Sequence, residues 1–226
     1  MRSLPGGVSR RPPRPVTALS VGMAAVGMLA LAALLAVRPR AEELQEGIVE
    51  WINDPPQPFA AVLACTNPFL RPVPLAVITV LLLFWVFVSA RTRVEQHHVV
   101  RAAVVAYLVA EVLAQLLKKL AQQPRPVAVI PGLDTHGYPR EPHGNAFPSA
   151  HTAVAVALVA ALWPWMDHRQ RVVGVVLAAS VGMNRIYVGA HWPLDVIGGA
   201  AAGTVAASIS WFIESTRRNL PGSSSP

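Results

Sequence analysis

The sequence of 226 residues contains one cysteine and few charged side chains. Cys65 alone provides neither an intramolecular disulfide framework nor a cysteine-based zinc site. Only 14% of the residues are charged, against about 25% in a soluble domain, whereas 53% are hydrophobic. The apolar residues fall in blocks of about 20 with short polar stretches between them, as bilayer-spanning helices require. This composition excludes an ordinary soluble domain and predicts one polytopic membrane domain.

Acidic residues are scarce as well. The chain has 12 Asp and Glu against 19 Lys and Arg, and its net charge is +7. Several of these cations lie in short loops between apolar blocks, which is typical of membrane orientation signals rather than of nucleic-acid binding. We therefore expect the membrane, and no nucleic acid, as a partner. The sequence leaves the oligomeric state open.

The predicted fold class is all-α, a polytopic membrane bundle of six transmembrane helices. The six spans are predicted at residues 17–37, 72–90, 99–117, 150–165, 172–188 and 193–213. The domain of residues 16–213 follows a disordered basic tail (residues 1–15) and precedes a polar tail (residues 214–226). The first block is longer than a signal-peptide core, so a retained span is favoured over a cleaved signal. Residues 42–52 fit a short interfacial helix and a solvated loop equally well.

Three polar clusters interrupt the apolar sequence. They are residues 118–126 (KKLAQQPRP), 148–151 (PSAH) and 184–195 (NRIYVGAHWPLD). With six spans, the first cluster lies at the exit of span three, the second at the entry of span four, and the third between spans five and six. The alternation of spans therefore places all three clusters on one membrane face, whichever way the chain is inserted.

The Lys and Arg residues of the loops predict which face that is. Loops on the N-terminal side contain ten of them, or eleven with Arg101, whereas the opposite side contains eight, three of which are assigned below to a chemical site. This excess favours cytoplasmic N- and C-termini. We therefore predict a multi-pass protein of the cell membrane whose site faces the extracytoplasmic side.

The residue types in the clusters favour phosphate as a ligand. Three fixed positive charges are pooled there, on Lys118, Arg125 and Arg185. An Arg fork matches phosphate oxygens, and the start of the fourth predicted helix offers free backbone N–H groups to an anion. Asp195 follows His191 by four residues, so its carboxylate can fix the imidazole tautomer and leave the other ring nitrogen as nucleophile or base. A second histidine, His151, is then the candidate acid for the leaving oxygen.

The order and spacing of these residues resemble the three-part signature of the type 2 phosphatidic acid phosphatase (PAP2) superfamily. The motifs are Lys118-x6-Arg125-Pro126, Pro148-Ser149-Ala150-His151 and Arg185-x5-His191-x3-Asp195, and the resemblance covers roughly residues 45–213. It implies His191 as a nucleophile that forms a phosphohistidine, Asp195 as its orienting partner and His151 as the acid. It also implies phosphoryl oxygens held by Lys118, Arg125, Ser149 and Arg185, with no metal and no cofactor.

Two positions depart from the family pattern. Ala150 stands where the family usually has Gly and keeps the backbone N–H, and Asn184 stands where it usually has Ser and keeps a donor in its amide. Both are predicted to contact the substrate phosphate. We expect altered substrate preference or rate rather than loss of activity.

The resulting hypothesis is a membrane phosphatase that hydrolyses a lipid phosphate or diphosphate. Polyprenyl diphosphate is the favoured substrate, followed by phosphatidate and phosphatidylglycerophosphate. The alternatives are a lipid phosphotransferase of the same fold, in which an acceptor hydroxyl replaces water, and a non-catalytic lipid-phosphate transporter.

Several polar residues have structural alternatives. The structural alternative for Lys118 is a snorkelling lysine, and the alternative for Ser149 is a helix cap without a ligand. Glu111 and Gln115 share a helix face, which fits a proton path or a hydrogen bond in the helix bundle. The loop histidines His136 and His143 fit an entrance lining or simple solvation. The glycines of the sixth span, Gly198, Gly199 and Gly203, predict close helix packing.

Overall fold

The computed structural model describes residues 12–90, 92–137 and 145–218, and within these ranges it is helical, with no β-strand. The described α-helices are α1 (Pro15–Ala36), α2 (Pro39–Asn53), α3 (Phe59–Thr66), α4 (Pro72–Ser89), α5 (Arg93–Ala121), α6 (Pro126–Val129), α7 (Ala150–Leu162), α8 (His168–Tyr187) and α9 (Pro193–Arg218). Two 3₁₀ helices, Asn67–Leu70 and Trp163–Trp165, continue α3 and α7. The all-α prediction is confirmed.

A helix lies at each of the six predicted spans. Three described segments, α1, α9 and the stretch from α5 to Val129, are long and apolar enough to cross a bilayer, and the bent pair of α3 and α4 is a fourth candidate. Of the others, α7 has 13 residues, and α8 carries charged or polar side chains at both ends. The protein is therefore a membrane protein, and the count of six spans stays a prediction.

The structure extends two elements beyond their predicted limits. Residues 39–53 form α2, so the helical alternative for this segment holds. The last helix runs to Arg218, past the predicted start of the C-terminal tail, because Glu214 is buried against α5 through His98 and Arg101. Residues 1–11 and 219–226 of the two predicted tails lie outside the described residues.

Small side chains bring the central helices together. The core between α5, α7 and α9 consists of alanines spaced about one helical turn apart: Ala106, Ala110, Ala114, Ala153, Ala157, Ala161, Ala202, Ala206 and Ala207. A Cβ at Gly199 would lie 2.5 Å from the Ser149 carbonyl oxygen, and one at Gly203 would meet the Ala153 carbonyl oxygen. The predicted close packing is confirmed, and it places the N-terminal ends of α7 and α9 side by side.

Candidate active site

The ends of four helices carry the predicted site residues. Lys118 lies in the last turn of α5, His151 in the first turn of α7, Arg185 in the last turn of α8 and Asp195 in the first turn of α9. Backbone contacts join these ends. The N–H of Ser149 donates to the Asp195 carbonyl oxygen at 2.9 Å. The three polar clusters therefore meet at one end of the bundle, as the alternation of spans predicts.

Two of the cations are held by carbonyl oxygens. Lys118 Nζ donates to the carbonyls of Asn145 at 2.6 Å and Ala146 at 3.2 Å, in the segment that leads into α7. Arg125 Nη1 donates to the carbonyl of Ala190, next to His191, at 3.1 Å. Lys118 is thus tied to the segment that leads into α7.

His191 and Asp195 form a buried pair. The Nδ1 atom of His191 lies 3.4 Å from Oδ2 of Asp195, and the two residues are 2% and 0% exposed. The same Oδ2 accepts the N–H of Trp192 at 2.8 Å. Among the described residues, neither His191 Nδ1 nor Asp195 Oδ1 has a hydrogen-bond partner. The pair is thus close enough to shorten into a hydrogen bond, since catalytic hydrogen bonds are often long before the substrate binds.

The electrostatic surroundings of His191 are cationic. Burial holds the pKa of His191 well below its usual value, and the positive charges of Lys118 and Arg125 act in the same direction. Arg185 and His151 add to this effect, so all four groups lie within electrostatic range of the ring. The neutral imidazole is therefore the stable form, and a neutral imidazole has the lone pair that a nucleophile needs.

The start of α7 combines a buried serine with an accessible histidine. Ser149 is fully buried and caps α7, because its Oγ accepts the backbone N–H of Thr152 at 3.5 Å and the Thr152 hydroxyl at 3.0 Å. The cap contact predicted for Ser149 is therefore present. His151 is half-buried and, with Ala150, lines a groove of about 720 Å³.

The groove lies between α4, α5 and α7, and its lining is mainly aliphatic. It also contains Glu111 and Gln115, where Gln115 Nε2 donates to Glu111 Oε1 at 2.7 Å within α5. This hydrogen bond lies within α5, on the groove side of the helix, and joins no second helix. An apolar channel thus leads from the outer surface of the bundle to His151.

One side chain and one backbone carbonyl accept hydrogen bonds from Arg185. Its Nη2 donates to Asn184 Oδ1 at 2.5 Å and to the Leu70 carbonyl at 3.4 Å. Asn184 Nδ2 in turn donates to Asn67 Oδ1 at 2.8 Å. Arg185 and Asn184 are 3% and 2% exposed, so both belong to the interior of the fold.

Sequence reasoning missed two polar residues that support the site. Asn67 holds Asn184, and Gln45 of α2 accepts the N–H of Leu194 in the first turn of α9 at 3.0 Å. No motif or spacing marks either residue.

The loop histidine His136, predicted to line the entrance or to be solvated, stacks on Tyr187 with ring centroids 3.9 Å apart, so it packs against the fold. The other loop histidine, His143, lies outside the described residues.

Fold and site together define a helical membrane protein that gathers cations and histidines at one end of its bundle. The model of the PAP2 superfamily matches residues 99–219, and the chain belongs to this family. A curated relative is the undecaprenyl-diphosphatase of Sulfolobus acidocaldarius, which is 33% identical over 119 residues. The match covers 50% of this chain, and the chain spans about half (54%) of the length of that relative.

Two solved structures share the fold. One is a transmembrane PAP2-type phosphatidylglycerolphosphate phosphatase from Bacillus subtilis, with a TM-score of 0.64 and 16% identity over 88% of this chain and 98% of that chain. The other is LpxE from Aquifex aeolicus, with a TM-score of 0.57 and 26% identity over 73% of this chain and 92% of that chain. The predicted PAP2-like fold is confirmed.

Proposed function

We propose that the protein is an integral membrane phosphatase that removes phosphate from a lipid phosphate or diphosphate. The observation that carries this proposal is the meeting of three cations and two histidines beside the N-terminal ends of α7 and α9. Guanidinium forks, an ammonium group and free backbone N–H groups suit the oxygens of a phosphate. We assign the binding of these oxygens to Lys118, Arg125, Arg185, Ser149 and Ala150.

His191 is the proposed nucleophile. Its Nε2 attacks phosphorus while the bond from phosphorus to the leaving oxygen breaks, and His151 gives a proton to that oxygen. Water then attacks the phosphohistidine, His151 takes a proton from the water, and inorganic phosphate leaves with His191 restored. Asp195 holds the Nδ1 side of the ring, so that Nε2 keeps its lone pair. The cations stabilise the charge on the equatorial oxygens of the transferring group.

The groove beside His151 supports a lipid as the substrate. Because its walls are mainly aliphatic, a hydrocarbon chain can occupy it while the phosphate meets the cations at its end. A water-soluble phosphate ester has no hydrocarbon chain that could pack against such a lining. The substrate therefore enters from the bilayer with its chain still in an apolar environment.

The favoured substrate is a polyprenyl diphosphate, with phosphatidate and phosphatidylglycerophosphate next. The undecaprenyl-diphosphatase among the relatives supports this choice. We place the protein in the cell membrane with its site on the extracytoplasmic side, which the excess of Lys and Arg in the N-terminal set of loops supports. Reporter fusions after Arg93 and after Gly137 test this orientation, and a cytoplasmic signal at Gly137 would reverse it.

Phosphate release by the purified protein in detergent tests the activity. Polyprenyl diphosphate, phosphatidate and phosphatidylglycerophosphate are compared with EDTA present, for the wild type, His191→Ala and the control His97→Ala, an exposed histidine of α5. We expect release that survives EDTA, is unchanged in the control and falls at least about 10³-fold in His191→Ala. Release only with an added acceptor alcohol would indicate a phosphotransferase. Lipid binding without release would indicate a transporter.

A further inference from the structure

A buried pair of amides joins the segment before α4 to the end of α8. Asn67 begins the 3₁₀ helix Asn67–Leu70, and Asn184 lies in the last turn of α8. The Nδ2 group of Asn184 donates to Oδ1 of Asn67 at 2.8 Å, although the two residues are 117 positions apart. Both side chains are buried, at 8% and 2% exposure. Buried amides that pair in this way hold each other in one orientation.

Hydrogen bonds fix the orientation of each amide in turn, starting from the carbonyl of His136. Asn67 Nδ2 donates to the carbonyl of His136 at 3.0 Å, so the Oδ1 end of Asn67 is turned toward Asn184. Asn184 must then present Nδ2 to Asn67, which leaves its Oδ1 to accept from Arg185 Nη2 at 2.5 Å. A reversed Asn184 would place its own N–H groups against the guanidinium, donor against donor.

The same short segment holds Arg185 a second time. The carbonyl of Leu70, at the other end of the 3₁₀ helix, accepts from Arg185 Nη2 at 3.4 Å. The segment Asn67–Leu70 therefore fixes the guanidinium both directly and through Asn184. It lies outside residues 99–219, the part of the chain that the family model matches.

We propose that Asn67 is a positioning residue, which acts through Asn184 to aim the Arg185 guanidinium at the substrate phosphate. This inference rests on the proposed function. Asn184 also acquires a role that differs from the one its motif position predicts, because it orients Arg185 instead of binding the phosphate itself. A guanidinium held in advance loses little freedom when the transition state forms, so its position affects turnover more than substrate affinity.

A double-mutant cycle tests this inference. The variants are Asn67→Ala, Asn184→Ala and the double variant, assayed by phosphate release from the best lipid substrate. The matched control is Asn53→Ala, since Asn53 is also a buried amide that ties the carbonyls of Asp134 and Tyr187 together without contacting Asn184. Elution in detergent and Tm report whether each variant is folded.

We expect Asn67→Ala to lower kcat by about 10- to 100-fold, the loss that is typical when a residue that orients a metal ligand is removed. The change in KM should be smaller. The double variant should lose no more activity than the more damaging single one, because both residues act through one contact. Asn53→Ala should lower Tm and leave kcat near the wild-type value. Additive losses in the double variant, or a wild-type kcat in Asn67→Ala, would overturn the inference.

A second readout separates this inference from the proposed activity. Orthovanadate, which can adopt the five-coordinate geometry of the phosphoryl transition state and so reports the aim of the guanidinium, is titrated into the wild type and into both single variants. A wild type without phosphatase activity would refute the proposed function, and the titration would then still test the positioning role. Weaker orthovanadate binding by Asn67→Ala and by Asn184→Ala than by the wild type supports that role. Equal binding by all three proteins would refute it.

Discussion

Two clusters of charged and polar groups lie at opposite ends of the antiparallel helices α5 and α9. At one end, Glu214 is 1% exposed and receives hydrogen bonds from His98 and Arg101. At the other end, Lys118 donates to carbonyl oxygens, and the carboxylate of Asp195 lies beside His191. Both clusters contain a histidine, a cation and an acid, so residue type alone does not distinguish them.

The difference lies in what faces the cation. Arg101 makes contacts through Nε and Nη2 to both oxygens of one carboxylate, and this neutralises its charge inside the protein. A carbonyl oxygen accepts the Lys118 hydrogens without cancelling the positive charge. The Glu214 end therefore joins α5 to α9, whereas at the Lys118 end the positive charge stays available for the anionic substrate that we propose.

Among the predictions that test this difference, substitution of Lys118 should have the largest effect on phosphate release. Lys118→Gln removes a positive charge next to the reacting phosphate, and we expect kcat/KM for phosphate release to fall about 100-fold. Its neighbour Lys119 is exposed on the same helix and provides the matched control, Lys119→Gln. Equal activity in the two variants would show that the charge of Lys118 does not act on the substrate.

The opposite end should respond in stability and not in turnover. Glu214→Gln leaves the Arg101 charge without its carboxylate. A fully buried pair would lose about 3 kcal/mol, and the cost here is smaller because the Arg101 side chain is 35% exposed and water screens its charge. We expect a lower Tm in detergent than for the wild type or for Glu43→Gln, which changes an exposed acid of α2. Phosphate release per folded molecule should be unchanged. A loss of turnover comparable to that of Lys118→Gln would contradict the division of roles between the two ends.

The sequence predicts the active-site end of the molecule far better than the Glu214 end. Apolar blocks predict where the helices lie, and their alternation brings residues 118–126, 148–151 and 184–195 to one face because each loop must return to a definite side of the membrane. The helix starts at Ser149 and Pro193 also follow from local rules for capping and for proline in the first turn.

These local rules do not predict contacts between single residues that are far apart in the sequence. The sequence places Glu214 in a polar tail and carries no signal for Asn67 or Gln45, because one polar residue in an apolar or irregular segment has no period that reveals its partner. Their roles depend on how the helices pack. Alanine and glycine stripes allow close packing, but they do not determine which polar residues come into contact. The motifs thus predict the reacting groups, and the structure adds the residues that hold them.

The smallest expected effect is a shift in the titration of His191. Its pKa is lowered by burial and then by the nearby cations, so the neutral ring should persist below pH of about 6.5, the usual midpoint. Lys118→Gln removes one repulsive charge and should move the midpoint to higher pH, whereas Lys119→Gln should not. Because a substrate phosphate also titrates near this range, ¹⁵N NMR of the substrate-free protein is the suitable measurement, with the His191 signal assigned by its loss in His191→Gln. A midpoint that Lys118→Gln leaves unchanged would mean that the Lys118 charge does not act on the ring, and the contrast between the two ends would then lose its electrostatic basis.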